Sequence, residues 1–171
     1  MRILTILFLL HLTVGCAVHE IIFMKPEGEF GKASKDGCGQ IPLNFIYDDP
    51  ATKFKVLLNA RAVYLSLVVP EGSTVEWYDS SMSVEVSGLT ENIIAEPLIK
   101  DERIKEVCSG IGLFSCKKYD QYYLFVEAPQ IYERDNVKIK PPTPLVNGKA
   151  IKTSEINFKK VTENIVQAIN C

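Results

Sequence analysis

Apolar and polar residues alternate with period two through the middle of the chain. In residues 62–69, Val63, Leu65, Leu67 and Val69 share one face. Pro70-Glu71-Gly72-Ser73 then supplies a turn, because proline presets φ and glycine tolerates positive φ. The next run places Val75 and Trp77 on one side and Thr74, Glu76 and Tyr78 on the other. Met82, Val84 and Val86 alternate with polar residues in the run that follows. Upstream, Phe54, Val56, Leu58 and Ala60 share a face, as do Ile41, Leu43, Phe45 and Tyr47. Pro42 cannot donate to a ladder, so that last strand starts at an edge. Alternation of this kind marks antiparallel strands with one wet face. The stretch from Phe54 to Val86 therefore reads as the centre of the fold.

The flanks carry weaker signals. Glu20 to Lys25 reads as an opening strand, Pro26 to Gly39 as a glycine-containing loop, and Asp48-Asp49-Pro50 as a turn. Residues 59–61 either reverse the chain or bend one long strand. Tyr119 to Glu127 sets Tyr122, Leu124 and Val126 against Tyr123 and Phe125, so both faces are apolar and the strand is central. Asn136 to Lys140 is a short strand that runs into Pro141-Pro142-Thr143-Pro144, a stiff extended connector. Asn147-Gly148 is a hairpin-turn dipeptide. Two segments suggest helix. Gly88 to Val107 breaks the alternation, and Pro97 suits the first position of a short helix. Ser154 can cap a helix from Glu155 to about Ile169, with Phe158, Val161, Ile165 and Ile169 as its apolar stripe. Together these elements predict a mainly β protein. The fold is an antiparallel β-sandwich of about seven or eight strands with a C-terminal α-helix packed on it, or alternatively a closed β-barrel.

Met1-Arg2, the apolar run 3–14 and the small residues Gly15, Cys16 and Ala17 describe a secretory signal over residues 1–17. A single domain over 18–171 follows. The apolar run is short of the roughly 20 residues that a membrane span needs, so no transmembrane segment is expected. A bacterial lipoprotein anchored at Cys16 is the alternative to free secretion. Setting Arg2 aside leaves 18 basic residues against 21 acidic ones. That balance gives no case for nucleic acid as a partner. The charge is uneven, with eight carboxylates and one base between Glu71 and Glu102, then six lysines and one acid between Asn136 and Lys160. Such runs either solvate or complement one another within the fold, or else orient a partner.

Four cysteines follow the signal: Cys38, Cys108, Cys116 and Cys171. An even count in an exported chain predicts two disulfides. The glycine-containing loop between Cys108 and Cys116 favours closing that pair, which leaves Cys38 with Cys171. Zinc is disfavoured, since no C-x₂₋₄-C pair exists.

Histidine is nearly absent. His11 lies in the signal, and His19 stands alone beside the new N-terminus. Ser-His-Asp, Cys-His and two-histidine chemistries lack their neutral-pH base. An amino-terminal copper site through His19 lacks a second histidine. No cofactor is expected, and no phosphate-binding glycine motif occurs. The carboxylates Glu76, Asp79 and Glu85 leave a carboxylate-pair hydrolase as the one enzyme class still open. The composition instead predicts a secreted, non-catalytic binding protein that acts on an extracellular protein partner through a sheet face or loops. A carrier of a lipid or small apolar ligand held between the sheets is the alternative. Tyr78, Tyr119, Tyr123 and Tyr132 are the candidate contact residues, being amphipathic side chains of the kind enriched at interfaces.

Overall fold

The computed structural model describes residues 17–35, 41–59, 62–109, 115–128 and 134–167. Fourteen β-strands and no helix occur among them. In chain order they are β1 (Ala17–Gly28), β2 (Lys32–Ser34), β3 (Asn44–Asp49), β4 (Thr52–Asn59), β5 (Ala62–Pro70), β6 (Val75–Asp79) and β7 (Ser81–Val86). They continue with β8 (Leu89–Ile94), β9 (Ile99–Ser109), β10 (Ser115–Glu127), β11 (Asn136–Lys140), β12 (Thr143–Val146), β13 (Lys149–Ala150) and β14 (Ile156–Gln167). Every pairing is antiparallel.

Two large sheets share one core. The first runs β1-β14-β11-β7-β8 and the second β2-β3-β4-β5-β10-β9. A small third sheet, β13-β12-β6, closes one side. Each large sheet has two free edges, so the described residues form no closed barrel. The layering is sandwich-like. Val84, Val86, Val137, Ile139, Ile156 and Phe158 of the first sheet pack into the same cluster as Phe45, Tyr47, Phe54, Val56, Leu65, Leu67 and Leu124 of the second. The period-two faces anticipated for β5 and β7 are the buried ones: Val63, Leu65, Leu67 and Val69, and Met82, Val84 and Val86. In β3 the alternation buries Phe45 and Tyr47, whereas Leu43 lies outside the strand and is exposed.

Aromatic edges lock this core. Phe45 meets Tyr47 edge-on at 5.1 Å, and Trp77 meets Phe54 edge-on at 6.4 Å. The Trp77 indole N–H donates to the Glu96 carbonyl at 2.8 Å, which satisfies its polar end. Burial pushes the Tyr47 phenol up to about 12, although its hydroxyl donates to the Ser154 carbonyl. Asn147 and Gly148 carry φ of 49° and 77°, the positive values that the Asn-Gly turn between β12 and β13 demands.

Four expectations are corrected. The C-terminal helix is a strand: Ile156–Gln167 is β14, seated between β1 and β11. Its Phe158 and Ile156 do face the core, with Asn157 between them pointing away. That is period two, and the helical spacing of Phe158, Val161 and Ile165 is a coincidence of a β-branched segment. Ile169 lies outside the described residues. The break expected from Gly88 to Val107 holds β8 and most of β9, and no helix starts at Pro97. The proline connector is in part strand β12, paired to β6 at a bulge. The loop expected from Pro26 to Gly39 holds the end of β1 and all of β2. Of the two readings open for residues 59–61, Asn59 pairs with Ala62, so the chain reverses between β4 and β5. The signal segment lies outside the described residues except for Ala17, where β1 begins. None of the described residues forms a helix long and apolar enough to cross a membrane.

Candidate functional site

The outer face of the six-stranded sheet carries the site. Its rows follow from register. Leu57 pairs with Tyr64, and Tyr64 with Phe125. One row over, Lys55 pairs with Ser66, Ser66 with Tyr123, and Tyr123 with Ile99. The third row runs Lys53, Val68, Gln121, Asp101. Directly opposed residues of antiparallel strands point to the same side. Because Val63, Leu65, Leu67 and Leu124 point inward, these rows all point out.

The result is a contiguous aromatic and aliphatic surface. Phe125 is 60% exposed and Ile99 53%. Tyr64 and Tyr123 are half-buried beside them. The Phe125 ring lies 4.7 Å from that of Tyr64 and 6.4 Å from that of Tyr123, the latter edge-on. Gln121 crosses the patch to donate to the Ser66 hydroxyl at 3.1 Å, which buries Ser66 on an otherwise wet face. Further along β10, Tyr119 stands between two open clefts of ≈ 450 and ≈ 500 Å³. Asp48, Lys53 and Val68 line the first; Glu71, Lys117 and Lys118 line the second.

Of the four tyrosines expected at a contact surface, the three that are described do not all share one face. Tyr119 and Tyr123 share the β10 outer face. Tyr78 is 71% exposed but belongs to β6 of the small sheet. Tyr132 lies outside the described residues. Phe125, Tyr64 and Ile99 were not singled out from the sequence. Phe125 shares the parity of Tyr123, which was a usable signal. The contribution of Tyr64 and Ile99 depends on pairing with other strands.

The cysteine framework is visible in part. Cys108 of β9 lies directly opposite Cys116 of β10 in the ladder. Cys38 and Cys171 lie outside the described residues.

The other sequence candidates are dispersed. Glu76 and Asp79 sit on β6, and Glu85 on β7 of a different sheet. Asp79 accepts from the hydroxyl and the N–H of Ser81, which hold its carboxyl below the usual carboxylate range. A general acid needs the opposite shift. Glu85 accepts from Lys138 at 3.0 Å. A carrier would need free space between the sheets, and there the facing layers are filled by Phe45, Tyr47, Phe54 and Phe158. No group of three His, Cys, Asp or Glu side chains suited to a metal ion occurs among the described residues.

The basic run is largely neutralised within the fold. Lys149 pairs with Asp49 at 2.9 Å, Lys159 with Glu27 at 2.8 Å and Lys160 with Asp135 at 3.3 Å. Lys152 covers the Phe30 ring at 3.5 Å. Two lysines of the run reach into the acidic stretch: Lys138 pairs with Glu85, and Lys140 acts on Asp79. Comparison with protein-family models, with curated proteins and with solved structures returns no match for this chain.

Proposed function

We propose that this chain is a secreted, non-catalytic binding protein that engages an extracellular protein through the outer face of its six-stranded sheet. The carrying observation is the patch of Tyr64, Phe125, Tyr123 and Ile99, spread over two adjacent rows on a face where alternation would ordinarily place polar groups. An exposed apolar patch of this kind, rimmed by charged residues, marks an interaction surface. Tyrosine and phenylalanine also supply large contact area with little side-chain entropy to lose. The two disulfides belong to the same reading: Cys108 with Cys116 at the tip of the β9–β10 pair, and Cys38 with Cys171.

Site-specific photocrosslinking tests the face. A photoreactive phenylalanine analogue is placed at Phe125, and in a control at Thr90, which is exposed on β8 of the other sheet. The expected result is protein adducts at position 125 in native secretion and none at position 90. The same adduct pattern at both positions would overturn the assignment.

A further inference from the structure

We propose that the occupant of this face is a second copy of the chain, docked sheet on sheet about a two-fold axis that runs along the strands between β5 and β10. The inference rests on the reading of the outer face as a docking surface. The register and the placement of charge choose the orientation. A two-fold axis along the strands maps each row of the sheet onto itself, reversed. The Leu57–Tyr64–Phe125 row then sets Tyr64 against the partner's Phe125 and Phe125 against the partner's Tyr64. In the next row Lys55 lies over the partner's Ile99, with its stem on an apolar side chain. In the third, Lys53 meets the partner's Asp101. Every contact occurs twice, as an isologous interface requires.

On these rows β4 carries Lys55 and Lys53 and β9 carries one carboxylate, Asp101, and the axis superposes one strand on the other. The competing two-fold axis, across the strands, would stack β4 on β4 and bring Lys53 and Lys55 against their own copies. Like charges in that position are repulsive. Lys53 makes no ion pair among the described residues, and a carboxylate such as that of Asp101 can accept from more than one donor. Packed sheets cross at about 30°. The pair nearest the axis, Tyr64 with the partner's Phe125, tolerates that angle through offset stacking. The outer pair tolerates it through the length of the lysine stem.

Sedimentation velocity of the purified chain over a concentration series tests this directly. The wild type is expected to show a monomer–dimer equilibrium. Phe125→Glu, at an exposed position that leaves the fold intact by circular dichroism, is expected to weaken it by more than about thirtyfold, the scale of a central aromatic anchor. Ile99→Glu serves as the second variant. Lys53→Glu and Asp101→Lys singly are each expected to weaken it about two- to fivefold, the worth of a rim ion pair. The double variant reverses both charges and is expected to recover the wild-type constant. A chain that stays monomeric throughout overturns the inference, as does a double variant weaker than either single one. A monomer that still crosslinks another protein at position 125 would leave the docking face standing and remove only the second copy. A dimer indifferent to Phe125→Glu, with no adduct at position 125, would remove both.

Discussion

Asp120 is a buried carboxylate, and it shows what one side chain can hold together. The Lys100 ammonium donates to it at 2.9 Å and the Gly72 N–H at 3.0 Å. It therefore joins β9 to the turn between β5 and β6. Lys100 first, and the Gly72 N–H second, hold its carboxyl below the usual carboxylate range. A folded-state value below the unfolded one, about 3.9 for aspartate, adds stability that is present above that unfolded value. The contribution is lost as pH falls through the lower folded value. Asp120→Asn is thus expected to be less stable than the wild type at pH 7, with the gap narrowing below about pH 4. Denaturant midpoints measured down the pH scale check this, and a gap constant from neutral to strong acid would show that the ion pair contributes nothing. The inward direction of Asp120 was legible, since it shares the parity of Tyr122, Leu124 and Val126. Its partners were not, because Gly72 and Lys100 come from segments that only the topology brings to β10. Phe125 has the same history: its outward parity was legible, but the patch it centres needed Tyr64 and Ile99 from neighbouring strands.

The elements that alternation identified are those with one dry face, and the ones it missed are edges and ribbons. β8 is the edge of the first sheet and is exposed along nearly its whole length. β9 is the edge of the second, and charged residues stand on both of its sides at Lys100, Asp101 and Glu102. An edge that buries neither face imposes no period on the sequence, and charge there discourages pairing with other chains. β14 misled for a related reason. Only Ile156–Lys159 pairs on both sides, with β1 and with β11, and the rest pairs with β1 alone. Its alternation is therefore short, and Val161 and Ile165 fall at helical spacing by chance. The β9–β10 pair carries a prediction of its own. Beyond Tyr119 it leaves β5 and continues as a two-stranded ribbon in which Cys108 opposes Cys116. Opposed residues in such a ladder have Cα atoms about 4.5–5.5 Å apart. A disulfide needs roughly 4.4–6.8 Å. The expected product of non-reducing peptide mapping is one peptide pair joined between Cys108 and Cys116. Either of these two linked to Cys38 or Cys171 would contradict that pairing.

Across the whole molecule the two ends of the described chain meet: β1 and β14 pair from Ala17↔Gln167 to Gly28↔Ile156. β14 is also the neighbour of β11, so it bridges the first strand to the remainder of its sheet. A terminal helix laid over the core would be a cover, and its removal would leave every ladder intact. A central strand is different. Ending the chain at Glu155 would strip β1 of its partner, open the β11 edge and remove the fully buried Ile156 and Phe158 from the core. Phe158→Ala alone is expected to cost about 3–5 kcal/mol, as buried aromatic truncations do. A domain of this size is stable by about 5–15 kcal/mol in total. The point variant should therefore remain folded with a lower denaturation midpoint, whereas the chain ending at Glu155 should show no cooperative unfolding transition. Two measurements decide between strand and cover: calorimetry of the shortened chain, and a denaturant series on Phe158→Ala. A shortened chain that still melts cooperatively, near the wild-type temperature, would mean that β1 and β11 do not depend on β14. The same closure makes the first sheet depend on contacts between the two ends of the sequence, which folds slowly because loop closure precedes its reward. In the shortened chain that sheet has no such closure to make, and the second sheet, whose strands β2 to β5 follow one another in order, is the part expected to retain residual amide protection.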